Sequence, residues 1–260
     1  MEPGNYGLPS ERFHLITKDK ISLVGWQIRH PKPSGILLLL HGFGTCKEDL
    51  LDLAHGLYNN GDYHLLLLDL RGHGASGGNT LSFGCREVDD IKEVLQFIKQ
   101  NSSFEKLPVG CLGISMGGSI AILAAAYLPN QIRAVVSDSA YFNLANAIAR
   151  VFKISYHLPR MPLAQIVIWM TALRLGCPMK NLSPVEVIHK ISPNPIFLIH
   201  GMSDKTTPYH DAEILFQAAQ RPKELWLVPD AEHVASYYKY RDEYLHRILT
   251  FYQNAFQRTT

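Results

Sequence analysis

The chain has few cysteines, four in 260 residues, and Cys46, Cys85, Cys111 and Cys177 lie far apart with no Cys-x-x-Cys spacing. They read as free thiols in a reducing compartment, with Cys111 in the core. An excess of one charge is missing too. Lys and Arg number 25 against 23 Asp and Glu, a net charge of +2, and the basic residues are scattered. No basic run or basic helix argues for nucleic acid, which is set aside as a partner. Long apolar runs are also absent: the longest, Leu163–Leu175 among them, fall short of the ~20 residues a membrane helix needs. Residues 1–12 are polar and rich in Gly and Pro, unlike a secretory leader. There is no internal repeat and no low-complexity segment. These absences lead us to expect a soluble, cytoplasmic protein with no integral membrane segment, no metal and no cofactor.

What is present is core-forming material. The chain is 47% hydrophobic, enough for one α/β domain spanning residues 1–260. Arg12–Thr17 and Ile21–Arg29 alternate as two antiparallel strands joined at Lys18-Asp19-Lys20. Ile36–Leu40 is a continuous apolar run, the pattern of a strand buried on both faces of a parallel sheet, and His64–Asp69 reads as a second buried strand. Residues 47–60 read as a helix ending at Asn59-Asn60-Gly61. Glu87–Gln100 carries a helical stripe at Val88, Ile91, Leu95 and Ile98. Further buried strands follow at Pro108–Leu112, Ile132–Val136, Pro195–Gly201 and Glu224–Val228. Helices are expected over 209–220 and Tyr237–Phe256. This alternation predicts a doubly wound, mostly parallel sheet with ligands at the carboxyl ends of its strands. It breaks only between Tyr141 and Ser192, a proline-rich stretch too long for a structureless loop. We read 141–192 as a helical lid whose main helix is Leu163–Leu175; ordinary helices packed on the flank are the alternative.

The chemistry centres on Gly113-Ile114-Ser115-Met116-Gly117, preceded by a strand-like run and followed by a small-residue helix. In that context the serine sits on a strained turn that lifts its hydroxyl above the sheet. The helix N-terminus then faces developing negative charge. A serine hydroxyl needs a base, and the base an orienting acid. His233 and Asp204, each just after a buried strand, supply these in the order Ser…Asp…His. Asp138 also ends a strand and competes for the acid's place, but Gly-Met-Ser-Asp ahead of Thr-Pro favours Asp204. Thr207 occupies the helix-cap position, which weakens a capping role for Asp204. His41 and His73 read as loop-shaping residues, and His157, His200 and His210 as structural. The backbone N–H groups of Met116 and Phe43 are the expected oxyanion donors.

His41-Gly42-Phe43-Gly44, Asp69-Leu70-Arg71-Gly72-His73-Gly74-Ala75-Ser76, Gly113–Gly118, His200–Asp204 and Ala231-Glu232-His233 stand in a telling order. On them, residues from about 10 to 256 resemble an α/β-hydrolase-fold serine hydrolase, of the bacterial esterase-like group similar to prolyl-oligopeptidase-like hydrolases. The resemblance implies the α/β-hydrolase fold and a Ser115–His233–Asp204 triad. It leaves the substrate open across esters, thioesters, amides and peptides. The His-Gly-Phe-Gly loop departs from the His-Gly-Gly-Gly type, so bulky tertiary-alcohol esters are not suggested. A serine in place of an elbow aspartate argues against dehalogenase and epoxide-hydrolase chemistry. The expectation is a carboxylesterase taking a small-molecule ester and water, with Leu163, Ile166, Val167, Trp169 and Met170 contacting short to medium acyl chains. A thioesterase, amidase or peptidase is the alternative, and a non-catalytic binding protein on the same scaffold is the reading from another class.

Overall fold

The computed structural model describes residues 1–100, 104–156 and 165–257. Its strands are β1 (Ser10–Ile16), β2 (Ser22–Ile28), β3 (Gly35–Leu40), β4 (Tyr63–Leu68), β5 (Val109–Ile114), β6 (Ala134–Asp138), β7 (Ile196–Gly201) and β8 (Lys223–Val228). They form one sheet in the order β1-β2-β4-β3-β5-β6-β7-β8. β1 and β2 make an antiparallel hairpin, β2 runs antiparallel to β4, and every later pair is parallel. The expected α/β-hydrolase architecture, a mostly parallel sheet flanked by helices, is what the chain forms. The register sets Leu40 beside Gly113 and Ile114 beside Asp138, itself beside Ile199. The loops after β3, β5, β6 and β7 therefore open along one edge.

The continuous leucine runs follow from cover on both faces of the sheet. Successive side chains of a strand point to opposite faces. Ile36, Leu38 and Leu40 join the core formed with α2 (Glu87–Gln100) and α3 (Met116–Tyr127). Leu37 and Leu39 join the opposite core, with α1 (Leu51–Asn60) and the C-terminal helix. Polar alternation would strand a side chain in one layer or the other.

Between β6 and β7 run α4 (Leu144–Tyr156), α5 (Gln165–Leu175), a 3-10 turn at Met179–Leu182, α6 (Pro184–Val187) and a second 3-10 turn at Ile188–Ile191. Val187, Ile188 and Ile191 pack this insertion into the core beside α3, and polar and covalent links add to that packing. The Arg150 guanidinium forks onto both Asp211 oxygens at 2.6 Å, joining α4 to α7 (His210–Ala218). The Tyr127 hydroxyl donates to the Asn181 carbonyl at 3.2 Å. A disulfide joins Cys85, just before α2, to Cys177, just after α5.

That disulfide corrects the reading of four free thiols. The two cysteines are 92 positions apart, and packing of the insertion brings their Cα atoms to 6.4 Å. No short-range spacing could signal it, and the argument for a reducing compartment loses its basis. Cys46 and Cys111 are free, the latter buried in the core as expected. Two helix expectations also change. The 47–60 segment divides into a 3-10 turn at Lys47–Leu50 and α1, and Gly61 closes α1 with extended rather than left-handed backbone. The C-terminal helix breaks at Tyr240 into α8 (Ser236–Lys239) and α9 (Arg241–Gln257). No helix among the described residues is long and apolar enough to cross a membrane.

Candidate active site

Ser115 bridges β5 and α3 with φ 55° and ψ −118°, a region that costs a non-glycine residue energy. Close packing around the turn explains why it persists. The Ser115 amide donates to the Asp138 carbonyl at 2.8 Å, fixing the turn against β6. A Cβ on Gly113 would run into the Gly117 carbonyl, and one on Gly117 would strike the carbonyls of Leu40 and His41. The two glycines of the motif are thus where β5, α3 and the end of β3 touch.

The loops after β7 and β8 converge on this serine. Ser115 Oγ lies 2.9 Å from His233 Nε2, and His233 Nδ1 lies 2.6 Å from Asp204 Oδ2. The other carboxylate oxygen accepts from the amides of Thr206 at 2.9 Å and Thr207 at 2.8 Å. Asp204 therefore pins its own turn with one oxygen and meets the imidazole with the other; the turn role and the acid role coexist. His200, completely buried, puts Nε2 2.7 Å from the Thr207 carbonyl and 3.3 Å from Asp204 Oδ2. Burial alone would raise the Asp204 pKa. Hydrogen bonds from His200 and His233 outweigh it and hold the carboxyl at about 2. Asp138, the competing acid, does not reach the imidazole: its oxygens take hydrogen bonds from Ser139 Oγ at 2.9 Å and the Tyr244 hydroxyl at 3.0 Å. Burial raises its pKa. Beside His233, Val234 holds φ 54° and its amide donates to Ser139 Oγ at 3.3 Å.

The loop after β3 completes the site. A Cβ on Gly42 would stand 3.4 Å from Ser115 Cβ, so this loop passes directly against the serine. Two histidines shape it. His41 Nε2 accepts from the Leu70 amide at 3.0 Å, which leaves Nδ1 to donate to the Gly42 carbonyl at 2.8 Å. His73 faces the Arg71 carbonyl with Nδ1 and the Gly44 amide with Nε2. Beneath them the buried Asp69 accepts from the Lys47 amide at 2.8 Å, Lys47 Nζ at 2.7 Å and the Ala75 amide at 2.7 Å. Met116 begins α3 next to Ser115, and Phe43 lies in the loop, 69% exposed.

A serine, histidine and carboxylate so joined can relay a proton during nucleophilic attack. Among known proteins, the family described as serine aminopeptidase, S33, matches residues 31–186. The uncharacterized protein YqkD of Bacillus subtilis (strain 168) is 31% identical over 253 residues, covering 97% of this chain and 78% of YqkD. The chain belongs to this α/β-hydrolase family. Among solved structures, the Pyrococcus furiosus esterase Pf2001 superposes with a TM-score of 0.81 at 25% identity, covering 98% of this chain and 94% of Pf2001. The Penicillium α/β hydrolase GrgF shares the fold, with a TM-score of 0.75 at 20% identity over 96% of this chain and all of GrgF.

Within this hydrolase the structure brings Ser115, His233 and Asp204 together. Ile166, Trp169 and Met170 are exposed on α5. Leu163 and His157 lie outside the described residues, as does the Val167 side chain. The sequence reading places His200 among the structural histidines, although its position four residues before Asp204 is a usable signal. Lys47 and Asp69 were unremarkable as a pair at 22 residues' separation; a lysine and an aspartate that are both buried are detectable only once the chain is folded.

Proposed function

We propose that this hydrolase cleaves carboxylic esters of short to medium acyl chain through a Ser115 acyl-enzyme. The observation that supports it most is the unbroken line from Ser115 Oγ through His233 to the ionised Asp204, at 2.9 and 2.6 Å. Because Asp204 accepts, the imidazole proton sits on Nδ1 and Nε2 offers its lone pair to the serine hydroxyl. As Oγ attacks the ester carbonyl, its proton passes to Nε2. The oxyanion meets the N–H groups of Met116 and Phe43. Collapse breaks the bond to the alcohol oxygen, which leaves with the Nε2 proton. Water then attacks the acyl-enzyme, giving its proton to Nε2, and the serine departs with it as the acid is released. The helical insertion is read here as a lid over this cleft.

Peptide cleavage from a free N-terminus is the less favoured reading. It calls for an anion to hold the substrate's ammonium, and the insertion over the cleft carries one acidic residue, Glu186, against six basic ones. The test is hydrolysis of p-nitrophenyl esters from acetate to palmitate by native protein and Ser115→Ala. A rate maximum at short or medium chains that is lost in the variant is the expected outcome. Equal inertness of both proteins across the series would overturn the ester reading, and thioester or peptide substrates would then take its place.

A further inference from the structure

Charge in the insertion is unlike that of the rest of the chain. Residues 141–192 are one fifth of the sequence and hold six of its 25 Lys and Arg but one of its 23 Asp and Glu. The same segment carries an apolar stripe turned to water. Ile166, Trp169, Met170 and Leu173 are spaced as one helical face, and all four are exposed, Trp169 by 64% and Leu173 by 69%. Arg174 stands one turn beyond Met170 on that face, and Lys180 follows in the next turn. Both are exposed, and neither forms an ion pair with a described residue. Phe43 after β3 and Met202 after β7 add exposed apolar groups at the same edge of the sheet. The other two tryptophans, Trp26 and Trp226, are buried.

We propose that the outer face of α5 docks on an anionic lipid bilayer. Aromatic and aliphatic side chains flanked by cations are the composition of a helix lying in the headgroup boundary. At 11 residues, α5 is about 16 Å long, which suits lying on a bilayer and not crossing it. The depletion of acid selects an anionic surface, where each nearby Lys or Arg adds attraction. A second copy of the chain is a poorer occupant, because a two-fold contact through this face would set its cations against the same cations. Docking turns the carboxyl edge of the sheet, with Ser115, toward the membrane.

The experiment follows Trp169 emission as native protein is mixed with vesicles of phosphatidylcholine alone or with phosphatidylglycerol, at low and high salt. Ser115→Ala is run alongside, so the outcome is independent of any ester turnover. The expected result is a blue shift and co-sedimentation with phosphatidylglycerol vesicles only, weakened by salt. Arg174→Gln and Lys180→Gln should each lower the partition coefficient about fivefold. Met170→Asp should abolish binding while its circular dichroism and thermal midpoint stay native. No binding, or equal binding to both vesicle types, overturns the proposal. So does a lipid-free dimer by light scattering that Met170→Asp dissociates, which would assign the face to a second copy.

Discussion

His200 stands in contact with the acid of the proposed triad while touching neither Ser115 nor His233 through any described hydrogen bond. The Thr207 carbonyl at 2.7 Å can only accept, so Nε2 carries the proton and also points it toward Asp204. Nδ1 has no hydrogen-bond partner among the described residues. Burial would lower the imidazole's pKa; the hydrogen bonds to Asp204 and Thr207, with the charges of Asp204 and Asp138, raise it instead. His200 is therefore a positioning residue, fixing the orientation and charge of Asp204 from behind. A hydrogen bond to a charged group is worth about 1.5–3 kcal/mol, so His200→Phe should lower kcat about tenfold or more with KM little changed. Losing a donor destabilises the carboxylate, so the acid limb of the pH–rate profile should move to higher pH. His200→Gln, which keeps a donor, should recover part of both. An unchanged pH profile in His200→Phe would reduce the residue to core filling.

At the scale of elements, what the chain made legible was whatever depends on near neighbours. Ile36–Leu40 and Leu65–Leu68 announced themselves because a strand stretch covered on both faces is apolar at successive positions. The Gly113–Gly117 turn did so because backbone contact on both sides of the serine permits only glycine at its ends. The breaks at Leu50 and Tyr240 did not, since a helical stripe runs through them and only packing against other elements bends the chain there. The Cys85–Cys177 bond was hidden for the same reason. It closes a loop of 92 residues, for which the loss on removal is about 2–4 kcal/mol. We expect Cys85→Ser with Cys177→Ser, or added reductant, to lower the thermal midpoint by several degrees. Amide exchange should quicken most in the insertion, which loses its covalent tie to the body while the Arg150–Asp211 pair, the Tyr127 hydrogen bond and the packing of Val187, Ile188 and Ile191 remain. A midpoint indifferent to reductant would mean that the two thiols are not joined.

Across the whole molecule, the carboxyl edge of the sheet carries two buried carboxylates drawn in opposite directions, and the contrast separates folding from catalysis. Asp204 is held at about 2, below its unfolded value of about 3.9. Its contribution to stability is thus present above about pH 4 and is lost as pH falls toward 2. Burial raises Asp138 above that unfolded value, only partly offset by Ser139 and Tyr244. The fold favours its neutral form more than the unfolded chain does, so its contribution is present in acid and declines as pH rises through the folded value. Urea unfolding from pH 3 to 8 should therefore give two opposite trends. The stability advantage of native protein over Asp204→Asn should shrink on acidification, and its advantage over Asp138→Asn should shrink, or reverse, on alkalinisation. Activity divides the pair in the other sense. Asn at 204 presents the imidazole with the wrong tautomer and should cost about 10^4-fold in kcat, whereas Asp138 reaches Tyr244 and Ser139 rather than His233, and Asp138→Asn should keep most of the rate. If the large loss of rate instead fell on Asp138→Asn, the acid of the mechanism would lie at the end of β6, and the 2.6 Å contact of Asp204 with His233 would serve the fold.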